Sequence, residues 1–153
     1  MVQQLLEKGA EINAQGGHFD NALQAASAEG HKEVVQQLLK KGAKINAQGE
    51  EYDNALQAAS AEGHKEVVQQ LLNKGAEINA QGGYYGNALQ TASAQGHKEV
   101  VQQLLEKGAK INAQGGHYGN AMQAASAEGH KDVVQLLEEK GAKINAQGED
   151  YGR

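Results

Sequence analysis

The sequence contains no cysteine, proline or tryptophan, and only 4% of its 153 residues are aromatic. Without cysteine, neither a disulfide framework nor a thiolate metal site can form, so a reducing, intracellular setting fits best. The scarcity of aromatics argues against a large globular core. The N-terminus lacks the apolar run of a signal peptide, and no segment approaches the ~20 apolar residues of a membrane span. These absences predict a cytoplasmic protein that does not enter a membrane.

Charge narrows the range of partners. The 14 lysines and arginines are outnumbered by 19 aspartates and glutamates, which leaves a formal net charge of −5. The lysines are spread evenly along the sequence rather than gathered into a basic stripe. Because nucleic-acid binding depends on a concentrated positive surface, this pattern disfavours DNA or RNA as a partner.

The segment Asn-Ala-Leu/Met-Gln recurs at a fixed interval. Successive copies begin 33 residues apart, at Asn21, Asn54, Asn87 and Asn120. A period of this length, with nearly identical copies, indicates a solenoid in which each unit packs only on its neighbours. We therefore expect one domain over residues 1–153. Its units are a partial repeat at 1–20 and full repeats at 21–53, 54–86, 87–119 and 120–152.

Each repeat carries two short helical patterns. In the first full repeat, Asn21 is a suitable N-cap for a helix running to about Glu29, and Gly30 can supply the left-handed residue that ends it. A second helix is expected from about Lys32 to Lys41, with its valines and leucines on one face. Both helices are too short to be stable alone in water, so stacking must stabilise them. Residues 43–53 are then expected to form a projecting, hairpin-like turn.

The sequence closely resembles the ankyrin repeat in two segments, Gly30-His31-Lys32-Glu33-Val34-Val35 and Gly42-Ala43-Lys44-Ile45-Asn46-Ala47, with Leu38-Leu39 between them. The resemblance covers essentially the whole chain. It implies an all-α solenoid of helix-turn-helix units with projecting hairpin loops, and it implies a role in protein–protein interaction. Where that family usually opens its first helix with Thr-Pro-Leu-His, this chain has Asn21-Ala22-Leu23-Gln24. Asn can replace Thr as the cap, and Gln can replace His as a polar bridge.

A narrower resemblance lies in the consensus Tyr-Gly-Asn-Ala-Leu-Gln-Ala-Ala-Ser, which residues 52–60, 85–93 and 118–126 each match at all but one position. It is similar to the ankyrin arrays that end fungal receptor-like NTPases of the self/non-self recognition type. This resemblance implies a fungal origin and a nucleotide-binding domain elsewhere in the parent protein.

Several polar residues recur once per repeat, and each type raises the question of a chemical site. Histidines at 31, 64, 97 and 130 lie on helices expected ~8–10 Å apart, too far for one zinc with ligands at ~2 Å, so we interpret them as structural. The glutamine ladder (24, 57, 90, 123) and the asparagine ladder (13, 46, 79, 112, 145) are interpreted as hydrogen-bonding the backbone. The serines at 27, 60, 93 and 126 lack a strained elbow and an orienting acid.

Acidic residues cluster in two turns, at Glu50, Glu51 and Asp53 and at Glu149 and Asp150. The spacing and the bidentate Glu of a calcium loop are missing, so we interpret both clusters as solvated loops. The sequence therefore predicts no catalytic residue, no metal and no cofactor.

Most of the variation between repeats falls in four columns at the hairpin tips. The aligned tips are 17–20, 50–53, 83–86, 116–119 and 149–152, and they hold all six aromatic residues of the chain. The third column is always aromatic, which favours a stack of one turn on the next. The second column changes in nearly every copy, which packing alone does not demand. The predicted partner-binding residues are His18, Glu51, Tyr84, Tyr85, His117, Tyr118 and Asp150.

The sequence as a whole predicts a non-catalytic module that binds an unidentified protein through the hairpin tips and the adjoining first-helix surface. The alternative is a structural or engineered repeat scaffold with no dedicated ligand. Residues 1–20 match only the second half of a repeat, so Val2, Leu5 and Leu6 are expected to form an exposed apolar stripe that favours head-to-tail self-association. In the last repeat Glu138 replaces a leucine, and a charge there suits a terminal repeat.

Overall fold

The computed structural model describes residues 22–49 and 53–143. Several predictions lie outside these residues: the Asn21 cap, the tip residues His18, Glu51 and Asp150, and the apolar stripe of Val2, Leu5 and Leu6. The described residues form eight α-helices, two in each repeat. In chain order they are α1 (Ala22–Glu29), α2 (Lys32–Lys40), α3 (Ala55–Ala61), α4 (Lys65–Asn73), α5 (Ala88–Gln95), α6 (Lys98–Glu106), α7 (Ala121–Ala127) and α8 (Lys131–Glu139).

The first helix of a repeat begins at an asparagine cap. Oδ1 of Asn54 accepts a hydrogen bond from the Gln57 amide at 2.8 Å, and the bond recurs at 2.8 Å in the third and fourth repeats. In the third repeat the Asn87 amide also donates to Oε1 of Gln90 at 3.0 Å, which completes a capping box. These bonds satisfy amides that the first turn of a helix leaves unpaired. The asparagine caps expected from the sequence are therefore confirmed at all three described positions.

The second helix of a repeat ends slightly earlier than expected. We expected the first of them to run to about Lys41, but α2 ends at Lys40, and Lys41 is its non-helical cap. The cause is Gly42, which adopts φ 97°, so that the chain reverses and the Ala43 amide donates to the Leu38 carbonyl at 3.0 Å. This bond pairs a carbonyl that the end of the helix leaves open.

The core is a row of aliphatic side chains that runs through all four repeats. The first helices contribute Leu23, Leu56, Leu89 and Met122, and the second helices contribute Leu38, Leu71, Leu104 and Leu137, each at most 2% exposed. Burial of one such side chain stabilises a fold by about 1.5–3 kcal/mol. Alanines fill most remaining buried positions of the first helices, and their small size lets neighbouring first helices pack closely.

Each repeat presents one face to the repeat that follows it. Val101 is fully buried there, whereas Val134, its counterpart in the last repeat, is only half-buried. Ser93 is buried on the same face, whereas Ser126 is exposed. Glu138 also lies exposed in the last repeat, as a charge requires. The stacking of repeats therefore buries a mixed surface of valine, alanine and serine.

Candidate functional site

The recurring histidines connect one repeat to the one before it. Nε2 of His64 lies 2.9 Å from the carbonyl oxygen of Ala28, and the same contact recurs between His97 and Ala61. His130 repeats it at 2.9 Å with the carbonyl of Ala94. Each pair satisfies a carbonyl at the end of a first helix, so the interpretation of this ladder as structural is confirmed. Among the described residues, no three His, Cys, Asp or Glu side chains lie close enough together to hold a metal.

A glycine makes room for each of these histidine rings. A Cβ built on Gly63 would lie 2.7 Å from Nδ1 of His97, and the equivalent distance at Gly30 is 2.6 Å from His64. Gly63 also adopts φ 76°, in the left-handed region that disfavours residues with a side chain. The glycine therefore serves two purposes: it ends the first helix and it accommodates the ring of the next repeat.

The glutamine and asparagine ladders fix the loops between the helices. Nε2 of Gln57 donates to the carbonyls of Gly82 and Gly86 at 3.2 and 3.0 Å, and the next glutamine binds the next hairpin in the same way. Oδ1 of Asn46 accepts from the Glu77 amide at 2.9 Å, a contact that recurs one repeat later. Both ladders hydrogen-bond the backbone, as predicted. The glutamines hold each hairpin on the first helix that precedes it, and the asparagines join the loop of one repeat to the loop of the next.

The recurring serines do not pair with the histidines. The hydroxyls of Ser27, Ser60 and Ser93 are buried and have no hydrogen-bond partner, while Nε2 of the recurring histidines contacts backbone carbonyls. A serine nucleophile requires a base within hydrogen-bond reach. That arrangement is not formed at any of these three positions.

The hairpin tips at 83–86 and 116–119 are closely packed turns. The Gly82 amide donates to the Gly86 carbonyl at 2.6 Å, and the Gly115 amide donates to the Gly119 carbonyl at 2.8 Å. Both pairs are isolated antiparallel bridges, so the expected hairpin-like form is confirmed for these two turns. The tips also touch each other, because the His117 amide donates to the Tyr84 carbonyl at 2.9 Å.

Four rings form a cluster across these two tips. In the third column, Tyr85 and Tyr118 stack with centroids 6.3 Å apart, which confirms the predicted stack of one turn on the next. In the second column, Tyr84 and His117 stack more closely, at 4.6 Å, a contact that the sequence comparison did not predict. Within each tip the two rings meet edge to face at 4.8 and 4.7 Å. The structure thus brings four predicted binding residues together.

Tyr84 differs from the other three rings in exposure. Tyr84 is 56% exposed, whereas His117, Tyr85 and Tyr118 are half-buried. The Tyr118 hydroxyl donates to the Glu128 carboxylate, a bond that raises the pKa of Tyr118, and burial raises the pKa of Tyr85. Both phenols are therefore neutral at physiological pH. The third column lies against the ends of the first helices, and Tyr84 remains open to solvent.

A cavity of about 460 Å³ lies between the hairpin tip at 83–86 and helices α3 and α5. Tyr84 and Tyr85 line it together with Glu62, Thr91 and Gln95. Sequence reasoning did not single out the last three residues. A signal was available at two of them, because the other three full repeats have alanine at the position of Thr91 and glutamate at that of Gln95.

The lysines are segregated by the fold. They are evenly spaced in the sequence, but every described lysine lies on a second helix or in the residues between that helix and the hairpin tip. The segments 48–64, 81–97 and 114–130, which hold the tips and first helices, contain no lysine or arginine. The even spacing along the sequence therefore does not carry over to three dimensions, because the repeat places its basic columns on one part of each unit.

The chain belongs to the ankyrin repeat family. The model of that family, described as ankyrin repeats in three copies, matches residues 1–82 and again residues 81–148. Members of this family generally act in protein–protein interaction. A comparison with curated proteins found no match. The described helices include none that is long and apolar enough to cross a membrane.

Proposed function

We propose that the chain is a non-catalytic module that binds a protein partner through its hairpin tips and the adjoining surface of its first helices. The observation that carries this proposal is the exposure of Tyr84 beside a cavity whose lining comes from both of these elements. A large aromatic ring in contact with water costs free energy that a partner would recover by covering it. Tyrosine is also among the residues that most often dominate binding energy at interfaces.

The rigid support beneath the tips favours binding. The side-chain amide of Gln57 holds the hairpin tip at 83–86, and the backbone bond from His117 to Tyr84 joins that tip to the tip at 116–119. A partner therefore meets a preorganised row, and less conformational entropy is lost when it binds. His18, Glu51 and Asp150 occupy the same column in the other tips, and we propose that they extend this row.

Binders selected against the folded chain test this surface. We expect Tyr84→Ala and His117→Ala each to weaken such a binder by about 1–3 kcal/mol, as for contact residues at an interface. Lys65→Ala and Gln69→Ala, on a second helix, serve as matched controls and should leave the affinity unchanged. Loss of binding on the Lys65 and Gln69 changes, with no effect of the tip changes, would place the binding face on the second helices.

A structural or engineered scaffold with no dedicated ligand is the second candidate. The observation that favours it is the regularity of the ladders, because the same histidine contact recurs at 2.9 Å at three successive repeat junctions. Under this alternative the ring cluster serves only to join the tips. Tyr84→Ala would then lower the free energy of unfolding and would affect no specific binder.

We also propose that chains associate head to tail. Ser126 and Ala127 are exposed in the last repeat, whereas Ser93 and Ala94 are buried one repeat earlier. The space beside Gly129 is empty to 4 Å, although the corresponding space in the preceding repeats holds a histidine ring. A second copy can cover this face with the surface that each interior repeat already presents to the one before it.

The surface that would cover this face is the apolar stripe predicted from the sequence at Val2, Leu5 and Leu6. We expect association that rises with concentration in sedimentation velocity and that falls on Val134→Glu, or on charged substitutions at Leu5 and Leu6. A chain that sediments as a monomer at every concentration would contradict this proposal.

We further propose that the array serves a cytoplasmic receptor-like NTPase of the fungal type. The support is the resemblance of the Tyr-Gly-Asn-Ala-Leu-Gln-Ala-Ala-Ser consensus to the sequences of such arrays. The complete reading frame around this sequence is the test. A phosphate-binding Gly-x-x-x-x-Gly-Lys-Ser/Thr segment in that frame would support the proposal, and a frame without any nucleotide-binding domain would contradict it.

A further inference from the structure

We propose that the cavity between the second and third repeats binds an arginine side chain from an extended segment of the protein partner. This inference rests on the proposed function, because the cavity opens within the same surface of tips and first helices. A volume of about 460 Å³ falls within the range of pockets that take small ligands. It is therefore large enough for a guanidinium group and part of its aliphatic stem.

The cavity forms where residues 84–95 depart from the corresponding segments of the other repeats. This segment alone has tyrosine at 84, threonine at 91 and glutamine at 95. All three side chains line the cavity. Repeats that agree at nearly every other position of these segments thus differ where the cavity forms. That convergence indicates a site specific to this junction rather than a product of the repeat itself.

The charges around the cavity favour a cation. Glu62 contributes a carboxylate to the lining, and none of the lining residues is a lysine or an arginine. A positively charged side chain therefore meets an attractive charge in the cavity wall. An acidic side chain would be repelled by Glu62.

The aromatic wall favours arginine over lysine. The Tyr84 ring stacks on His117 with centroids 4.6 Å apart, yet more than half of its surface remains exposed. A guanidinium is planar, so it can lie on a tyrosine ring while its N–H groups point at a carboxylate in the same plane. The compact ammonium of lysine is more strongly hydrated and lacks this planar fork. Tyr84 and Glu62 together thus supply the two contacts that a guanidinium combines.

Peptides of defined charge test the assignment. The probe is a flexible heptapeptide of glycine and serine with one central arginine, titrated into the full chain and followed by amide shifts in NMR. We expect saturable shifts around Glu62, Tyr84 and Gln95. A matched peptide with citrulline, which has nearly the same shape but no charge, should bind at least roughly fivefold more weakly than the arginine peptide. A glutamate peptide should not bind. Equal binding of the arginine and citrulline peptides, or no binding of either, would overturn the assignment.

Paired variants separate this inference from the proposed function. Glu62→Gln should weaken the arginine peptide roughly fivefold and leave the citrulline peptide unchanged, whereas Glu29→Gln, at the same position of the first repeat, should alter neither. If Glu62→Gln and Glu29→Gln behave alike, the carboxylate assignment is wrong. If the arginine peptide fails while selected binders still lose affinity on Tyr84→Ala, the tips bind protein but the cavity does not take arginine. Failure of both experiments would contradict both proposals.

Discussion

His97 and Tyr84 line the same cavity, but they belong to columns with opposite behaviour. His97 is repeated in every full repeat, and its Nε2 lies 2.9 Å from the Ala61 carbonyl of the preceding repeat. No other tip has a tyrosine at the position of Tyr84, which is 56% exposed and contacts other tip rings. A column that pairs a backbone carbonyl cannot change without leaving that carbonyl unpaired. A column that contacts other tip rings is free to change. A variable surface can therefore lie directly on a constant frame, by which we mean the stacked helices and the recurring histidine, glutamine and asparagine contacts between them.

The largest expected effect removes part of the frame itself. Leu71 is fully buried in α4, and Leu71→Ala should lower the free energy of unfolding by about 3 kcal/mol, since it deletes buried methyl groups and leaves a cavity. Urea denaturation measures this change. Lys65→Ala on the same helix is the exposed control and should cost less than about 0.5 kcal/mol. Similar costs for the two variants would contradict the assignment of Leu71 to the frame.

A second prediction compares two glycines with the same backbone angle. Gly63 and Gly129 have φ of 76° and 78°, but only Gly63 lies against a histidine ring of the next repeat. Gly129→Ala should lower the free energy of unfolding by about 1 kcal/mol, because a residue with a side chain is disfavoured in the left-handed region. Alanine at Gly63 should cost about 2–3 kcal/mol, because His97 must also move. Equal losses in chemical denaturation would mean that the ring contact adds nothing.

The third prediction concerns an aspartate at a position where later repeats have glycine. Asp53 adopts φ 75°, is 7% exposed, and its Oδ2 has no hydrogen-bond partner. Gly86 and Gly119 occupy the same column with φ of 115° and 96°. Asp53→Gly should therefore raise the free energy of unfolding by about 1–2 kcal/mol at neutral pH, since it relieves backbone strain and removes a buried, unpaired carboxylate.

The pH dependence of Asp53 sharpens this prediction. Burial raises the pKa of Asp53 in the folded chain. The protonated carboxyl is therefore favoured in the folded chain. Its contribution to stability is fully present below the unfolded pKa and is lost as pH rises through the higher folded pKa. The advantage of Asp53→Gly should shrink as pH falls toward about 4. Asp53→Asn keeps a side chain that tolerates this backbone angle and removes only the charge. A gain that does not depend on pH would attribute the effect to the backbone alone.

Much of the frame could be predicted because it repeats. The 33-residue interval gave the helix pairs, the asparagine caps at Asn54, Asn87 and Asn120, and the structural role of the histidines. The contacts within the variable columns could not be predicted, because they depend on how far one tip lies from the next. The close stack of Tyr84 on His117 is the clearest case.

The candidate site was predicted only in part, for a related reason. Tyr84, Tyr85, His117 and Tyr118 were identified from variation and aromatic content, and they do form one cluster. Glu62, Thr91 and Gln95 were missed, although two of them are changes confined to the third repeat. Their proximity to Tyr84 depends on how the tip lies over the first helices, which the spacing of residues along the chain does not reveal.

The most direct test of the account measures stability and binding on the same pair of variants. Tyr84→Ala should change the free energy of unfolding by less than about 0.5 kcal/mol and should weaken a binder selected against the chain at least tenfold. His64→Ala, which removes the partner of the Ala28 carbonyl away from the cavity, should do the reverse: it should cost about 1–3 kcal/mol of stability and leave the affinity of the remaining folded chain unchanged. If Tyr84→Ala instead destabilises the fold as much as His64→Ala does and leaves binding intact, the tip rings are part of the frame and the division between the two kinds of column is wrong.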